Sequence, residues 1–380
     1  MKKIGIITIV KVNNYGAELQ AFALQQKLND LGYNAELIDF LYYKHKNYER
    51  TSLSKPWIKL GVKKKIQELI YPLIIKIKTI KYLKPSKERN KKFDLYHKNH
   101  THFSNRCFNS IDKLFKEKWN YDVFMVGSDQ VWNPTSYTSL DPYVLNFAPK
   151  NAITVSYASS FGVKCLPPET IYRFKNSLSK FSAIGVREID GKRIIEQQLG
   201  LEARVVLDPT LLLDRERWLL YAKVQKIEPN YLLLYMLSKS DIAIKLAEKI
   251  AKLKGYKIIR ICKEAAPPDN SKKIENVLDA GPAEFLGLFM NASFVITNSF
   301  HGTAFSVNFE RPFYTVINNR KMNNSRQLSL LKSLKLENRI ITKPSDFSEI
   351  HVTDCDFTKS IVKLNELRKQ SINFLFESIN

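Results

Sequence analysis

A histidine stands where chemistry is favoured in the stretch Phe294-Val295-Ile296-Thr297-Asn298-Ser299-Phe300-His301-Gly302-Thr303. Its first four residues read as a buried strand, and Ala304, Phe305, Val307 and Phe309 give the apolar spacing of a helix starting near Gly302. Backbone amides and the positive end of the helix dipole converge at such a start, so Ser299, His301, Gly302 and Thr303 form a candidate anion site. An imidazole placed there is suited to proton transfer near neutral pH. A second group, Gly127-Ser128-Asp129-Gln130-Val131-Trp132-Asn133-Pro134, also follows an apolar run. Ser128 and Gln130 offer hydrogen bonds to sugar hydroxyls, Trp132 offers an aromatic face to a sugar ring, and Asp129 can accept a hydroxyl proton as a general base. An Asx-type turn with a packed tryptophan accounts for the same residues. In Asn14-Tyr15-Gly16-Ala17-Glu18-Leu19-Gln20, Gly16 permits close backbone approach at another helix start, although turn chemistry alone also explains it. Arg187, in Gly185-Val186-Arg187-Glu188, can grip a phosphate or carboxylate with two parallel hydrogen bonds, or pair with a neighbouring acid such as Glu188.

These groups share a position in the expected architecture, because ligands gather at the carboxyl ends of strands in open parallel sheets. Strands are expected at residues 4–9, 35–40, 123–126, 153–156, 183–186 and 205–207, and helices at 17–31, 169–179 and 191–199. A second series has strands at 231–237, 257–261, 294–297 and 314–317, and helices at 241–253 and 282–290. Two alternating series predict an α/β fold of two Rossmann-like, doubly wound domains facing a central cleft. The expected domains are 1–207 and 208–356, with a last helix in 357–380 packing back toward the first. Residues 42–120 interrupt the rhythm as a basic helical insertion, which Pro72 should divide into a hairpin.

The 380 residues suit two domains, and 44% hydrophobic with 26% charged residues is ordinary for a globular chain. No run of about 18 apolar residues suggests a membrane span. The apolar N-terminus is too soon followed by Lys11, Asn13 and Asn14 for a signal peptide and reads as a strand. Cys107, Cys165, Cys262 and Cys355 are far apart and suggest free thiols in a reducing cytoplasm, with neither a disulfide framework nor a metal site. The net charge of +23 calls for an anionic partner. Nucleic acid is disfavoured, since no zinc-finger, RNP or helix-turn-helix signature accompanies the charge. The basic residues concentrate within 55–98 among apolar ones, which fits a solvated helical face or a segment lying on anionic lipid.

Six segments in order carry a resemblance: 14–20, 127–133, 156–162 (Ser156-Tyr157-Ala158-Ser159-Ser160-Phe161-Gly162), 186–188, 206–210 (Val206-Leu207-Asp208-Pro209-Thr210) and 299–302. Together they resemble the polysaccharide pyruvyl transferase family. The resemblance implies a GT-B-like fold, phosphoenolpyruvate as co-substrate, and as acceptor a sugar of a cell-surface glycan or its lipid-diphosphate-linked precursor. The expected product is a pyruvate ketal, formed without metal or other cofactor. On this basis the expected donor residues are Arg187, Ser299, His301, Gly302 and Thr303, and the expected acceptor residues are Asn14, Tyr15, Gly16, Gln20, Ser128, Gln130 and Trp132. Catalysis falls to His301, Asp129 and Arg187, and alanine at His301 or Arg187 is expected to abolish turnover while leaving the fold intact. The expected location is the cytoplasm, with peripheral attachment at the inner leaflet of its membrane. The nearest rival is a nucleotide-sugar glycosyltransferase of the same fold, with Glu284 as its acidic ribose ligand.

Overall fold

The computed structural model describes residues 1–59, 61–225, 227–269, 271–317, 324–349 and 355–380. The chain divides into two compact units, one of Met1–Lys65, His97–Leu212 and Glu366–Asn380, the other of Ile66–Tyr96 and Leu213–Asn365. The basic segment expected as an insertion in the first domain is therefore shared between the units.

The first unit holds strands β1 (Lys3–Ile7), β2 (Asn34–Leu37), β3 (Val123–Val126), β4 (Ile153–Ser159), β5 (Ala183–Val186) and β6 (Arg204–Val205). They form a parallel sheet in the order β2-β1-β3-β4-β5-β6. Alternate side chains serve two cores: Val123 and Met125 join Ile4, Ile6 and Val155 on one face, while Phe124 and Val126 join Ile7, Trp132 and Phe161 on the other. Helices cover both faces, which is why β3 is an unbroken apolar run.

The second unit holds β7 (Tyr231–Tyr235), β8 (Lys257–Ile261), β9 (Ile274–Val277), β10 (Phe294–Thr297), β11 (Phe313–Val316) and β12 (Ile340–Ile341). Its parallel order, β9-β8-β7-β10-β11-β12, is the doubly wound 3-2-1-4-5-6 arrangement. Leu232, Leu234, Phe294, Ile296 and Tyr314 pack on helix Asp241–Lys254 on one face. On the other, Tyr235, Phe285, Phe289 and Phe305 meet largely edge to face.

The basic segment differs from expectation. Helix Val62–Thr79 runs straight through Pro72, and the break falls at the 3-10 turn Ile80–Tyr82, before helix Leu83–His100. A proline removes one helical hydrogen bond, but on a helix that is exposed along most of its length the freed carbonyl is open to water, so the helix continues. No helix among the described residues is long and apolar enough to cross a membrane.

Candidate functional site

Each sheet has a point where the strand order reverses and the loops leave in opposite directions, opening a crevice at the strand ends. In the first unit it lies between β1 and β3, in the second between β7 and β10. The segments singled out by sequence after β1, β3 and β10 all leave the sheets at these two points.

At the β1 end, Asn14 caps helix Tyr15–Asp30, its side chain accepting from the amides of Gly16 (3.0 Å) and Ala17 (3.4 Å). Lys11 and Asn13 adopt positive φ in the preceding loop. The buried carboxylate of Glu18 holds that loop by accepting from the amides of Lys11, Val12 and Asn13, and it lies 3.3 Å from Nε2 of His97. Gln20 is fully enclosed and donates to Thr8 Oγ1 and the Ala17 carbonyl, and Thr8 in turn donates to the Ser128 carbonyl. Gln20 thus ties the ends of β1 and β3 together, and Tyr15 is buried in the core.

At the β3 end, Asp129 has φ 76°, a left-handed conformation that costs a non-glycine residue roughly 1–3 kcal/mol. Its Oδ1 accepts from the Gln130 amide at 2.8 Å, its carbonyl accepts from the Ser160 amide, and its side chain is 20% exposed. Beneath it lies a buried ionic cluster. Arg187 Nη1 donates to Asp208 Oδ2 (2.9 Å) and Ser128 Oγ (3.3 Å), Nη2 is 3.9 Å from Asp129 and Nε 3.8 Å from Glu188. Ser128 also donates to Asp208, Ser160 donates to Glu188, and Asp208 Oδ1 accepts from the amide and hydroxyl of Thr210. Burial works against the guanidinium's charge, yet Asp208, Glu188 and Asp129 together hold its pKa above the usual arginine value. With a side chain only 1% exposed, Arg187 faces three carboxylates, and an anionic ligand would have to displace them.

Trp132 is also enclosed. Its Nε1 donates to the Tyr143 carbonyl at 2.7 Å, and its ring packs against Phe161 and Phe181, so neither face is open to a sugar. Gln130 and Asn133 are partly exposed and hydrogen-bonded to each other. Sequence reasoning did not give functional weight to Glu18, Glu188 or Asp208. The signal for the last two was present: an acid next to the arginine and an Asp-Pro-Thr turn after β6.

In the second unit, Asn298 bridges the β7 and β10 ends, accepting from the Leu237 amide and donating to the Ser238 carbonyl, both at 2.8 Å. Ser299 caps helix Phe300–Asn308 through the Gly302 amide, so the helix starts slightly earlier than the sequence suggested. His301 lies in its first turn, 7% exposed, with its ring 5.2 Å from that of Phe300. Thr303 Oγ1 is held by the Ser299 carbonyl and Thr315 Oγ1, a packing role. A Cβ on Gly302 would collide with Thr297 Oγ1 and crowd the Tyr235 ring, so only glycine lets the helix start lie this close to β10 and β7. Glu284 caps its own helix, accepting from the Gly281 amide (3.1 Å) and lying 3.4 Å from Lys223. Among the described residues, no three His, Cys, Asp or Glu side chains are grouped to hold a metal ion.

The family model described as polysaccharide pyruvyl transferase matches residues 14–320, from the Asn14 cap past β11. The chain belongs to the polysaccharide pyruvyl transferase family. Membership makes it a transferase enzyme of polysaccharide biosynthesis, and the match takes in the loops after β3 and β10 at the two switch points. No curated protein sequence matches the chain. Among solved structures, a UDP-N-acetylglucosamine 2-epimerase from Rickettsia bellii is similar at 12% identity, TM-score 0.51, covering 100% of this chain and 97% of that one. A UDP-GlcNAc 2-epimerase from Neisseria meningitidis, bound to UDP-GlcNAc, is similar at 7% identity, TM-score 0.50, covering 100% and 99%. At these identities the likeness shows the fold, and this pyruvyl transferase family member is GT-B-like.

Proposed function

We propose that this protein transfers the enolpyruvyl group of phosphoenolpyruvate to a sugar of a cell-surface polysaccharide or its lipid-linked precursor, closing a pyruvate ketal. A general acid adds a proton to the methylene carbon, which becomes a methyl group, and C2 becomes oxocarbenium-like. One sugar hydroxyl bonds to C2 through its oxygen and gives its proton to a base. A second hydroxyl then bonds to C2 through its oxygen and displaces phosphate, which leaves with the C–O bonding pair and takes up that hydroxyl's proton. The sum is one phosphoenolpyruvate and one diol giving one ketal and one phosphate.

The observation that carries this reading is His301, in the first turn of a helix at the β7/β10 switch point of a pyruvyl transferase family member. The helix start favours the donor's anionic groups, and His301 acts as the acid or assists phosphate departure. Ser299, Gly302 and Thr303 shape that turn. Asp129, partly exposed and held in a strained turn, is the base, with Gln130 and the 14–16 backbone on the acceptor side. Arg187 acts through Asp208 and Asp129 as a positioning residue, in place of the direct donor contact that sequence suggested. Tyr15, Gln20, Ser128 and Trp132 support the acceptor-side loops from within.

The rival glycosyltransferase reading needs an acidic ribose ligand, and Glu284 is already committed to capping its helix. The two readings part in one experiment. The protein is incubated in deuterated water with phosphoenolpyruvate and a panel of sugar acceptors, and phosphate and the pyruvyl methyl group are followed by NMR. The proposal expects phosphate release and a ketal methyl carrying one deuterium. Consumption of a nucleotide sugar, with phosphoenolpyruvate untouched across the panel, would establish the rival.

A further inference from the structure

Helix Val62–Thr79 carries its apolar residues on the outside. Val62, Ile66, Leu69, Leu73 and Ile77, with Ile80 just beyond the helix end, recur every three or four positions, the spacing of a single helical face. In a helix packed on a core that face is buried, but here Leu69 is 72% exposed, Leu73 60%, Ile77 68% and Ile80 56%. Ile70 and Ile74 flank the stripe and are exposed as well. A contiguous apolar surface of this kind marks an interaction site more often than a solvated face.

Charge identifies the occupant. Between Val62 and Lys87 the sequence carries eight lysines and a single acid, Glu68. Lys76, Lys81 and Lys84 are exposed close to the stripe in sequence. Pairing the stripe with a second copy would bring two such runs together and set like charges against each other. An anionic lipid surface supplies opposite charge at the headgroups and apolar depth for the stripe, the environment of an interfacial amphipathic helix. The helix is too short of apolar character to cross a bilayer.

We propose that helix Val62–Thr79 docks on an anionic lipid surface, lying in its plane with Leu69, Leu73 and Ile77 inserted and the lysines at the headgroups. The site needs neither phosphoenolpyruvate nor an acceptor, so its test is independent of the catalytic reading.

The full chain is floated with vesicles of phosphatidylcholine alone or mixed with phosphatidylglycerol, without substrate. Wild type is expected to float with the anionic vesicles, less so as salt rises, and to stay behind with neutral ones. Leu69→Glu with Leu73→Glu should abolish flotation. Lys76→Gln, Lys81→Gln and Lys84→Gln together should weaken it roughly a hundredfold, each cation near a charged surface counting for somewhat under tenfold. These positions are exposed, so both variants should keep the wild-type circular dichroism spectrum. Failure of wild type to float with anionic vesicles at low salt overturns the proposal, as does equal binding to neutral ones. A wild-type dimer in light scattering that the Leu69→Glu, Leu73→Glu variant splits would instead make the stripe a self-association face.

Discussion

Replacing Arg187 with alanine leaves Asp208, Glu188 and Asp129 facing one another with no guanidinium between them. Removing one partner of a buried ion pair costs about 3–5 kcal/mol, so Arg187→Ala should melt well below wild type. Arg187→Lys should recover only part of this, because one ammonium cannot reach the partners that Nη1, Nη2 and Nε face separately. An unchanged melting temperature in Arg187→Ala would falsify the positioning role. His301 differs, since it sits in a helix turn whose cap and packing are made by Ser299, Gly302 and Thr303. His301→Ala should therefore keep its melting temperature while losing roughly 100- to 10,000-fold in turnover, the usual worth of a general acid. Sequence alone gives these two residues the same expectation; both are buried, and the three carboxylates around Arg187 are what separates them. Trp132 teaches the same lesson. The rings that cover it, Phe161 and Phe181, lie distant in the chain, so sequence cannot tell a packed indole from an open sugar platform.

At the scale of elements, the buried strands were the most legible part of the chain. β3, β5, β8 and β10 fall on the residues the sequence marks; β3 and β5, covered on both faces, have no polar positions to blur their ends, while β8 and β10 stay legible on their Ile and Val residues despite Lys257, Arg260 and Thr297. β9 was missed: Ile-Glu-Asn-Val alternates weakly and lies at a sheet edge, where pairing with β8 rather than its own composition makes it a strand. Helix Ser325–Ser333 was missed as well, a short run of mixed polar residues without a capping side chain. The switch-point loops were found because their glycines and caps are local signals. Gly302 shows how closely such a loop depends on its sheet. Gly302→Ala must push the helix start away from Thr297 and Tyr235, and overpacking of this kind costs about 1–3 kcal/mol. The same displacement moves His301. The variant should thus lower both the melting temperature and kcat, whereas Gly255→Ala, at a helix end with open space around its Cβ position, should lower only the melting temperature. Equal kcat values in the two variants would show that the helix start does not position the chemistry.

At the scale of the whole molecule, the last helix decides which residues the first unit needs in order to fold. Its final part, Glu366–Asn380, belongs with that unit although it follows Leu213–Asn365 in the chain. Phe374, Leu375 and Ile379 are buried in the same cluster as Ile4, Ile6, Val123 and Val155. Phe374 lies against Gly185 of β5, where any Cβ would strike its ring, and Ser371 Oγ accepts from the Leu207 amide at 3.0 Å. Each of the three apolar side chains contributes about 1.5–3 kcal/mol by burial. Their joint loss is comparable to the roughly 5–15 kcal/mol that holds a typical domain folded. A chain ending at Asn365 should therefore lose the first unit selectively. Limited proteolysis should cut within β1 to β5 while a fragment from about Leu213 onward survives. Because a truncation can fail to express, Phe374→Ala offers a milder form of the test, with an expected cost of about 3–5 kcal/mol confined to the first unit. If proteolysis of either variant instead opens Leu213–Asn365 first, the last helix supports the second unit, and the assignment of 366–380 to the β1–β6 sheet fails.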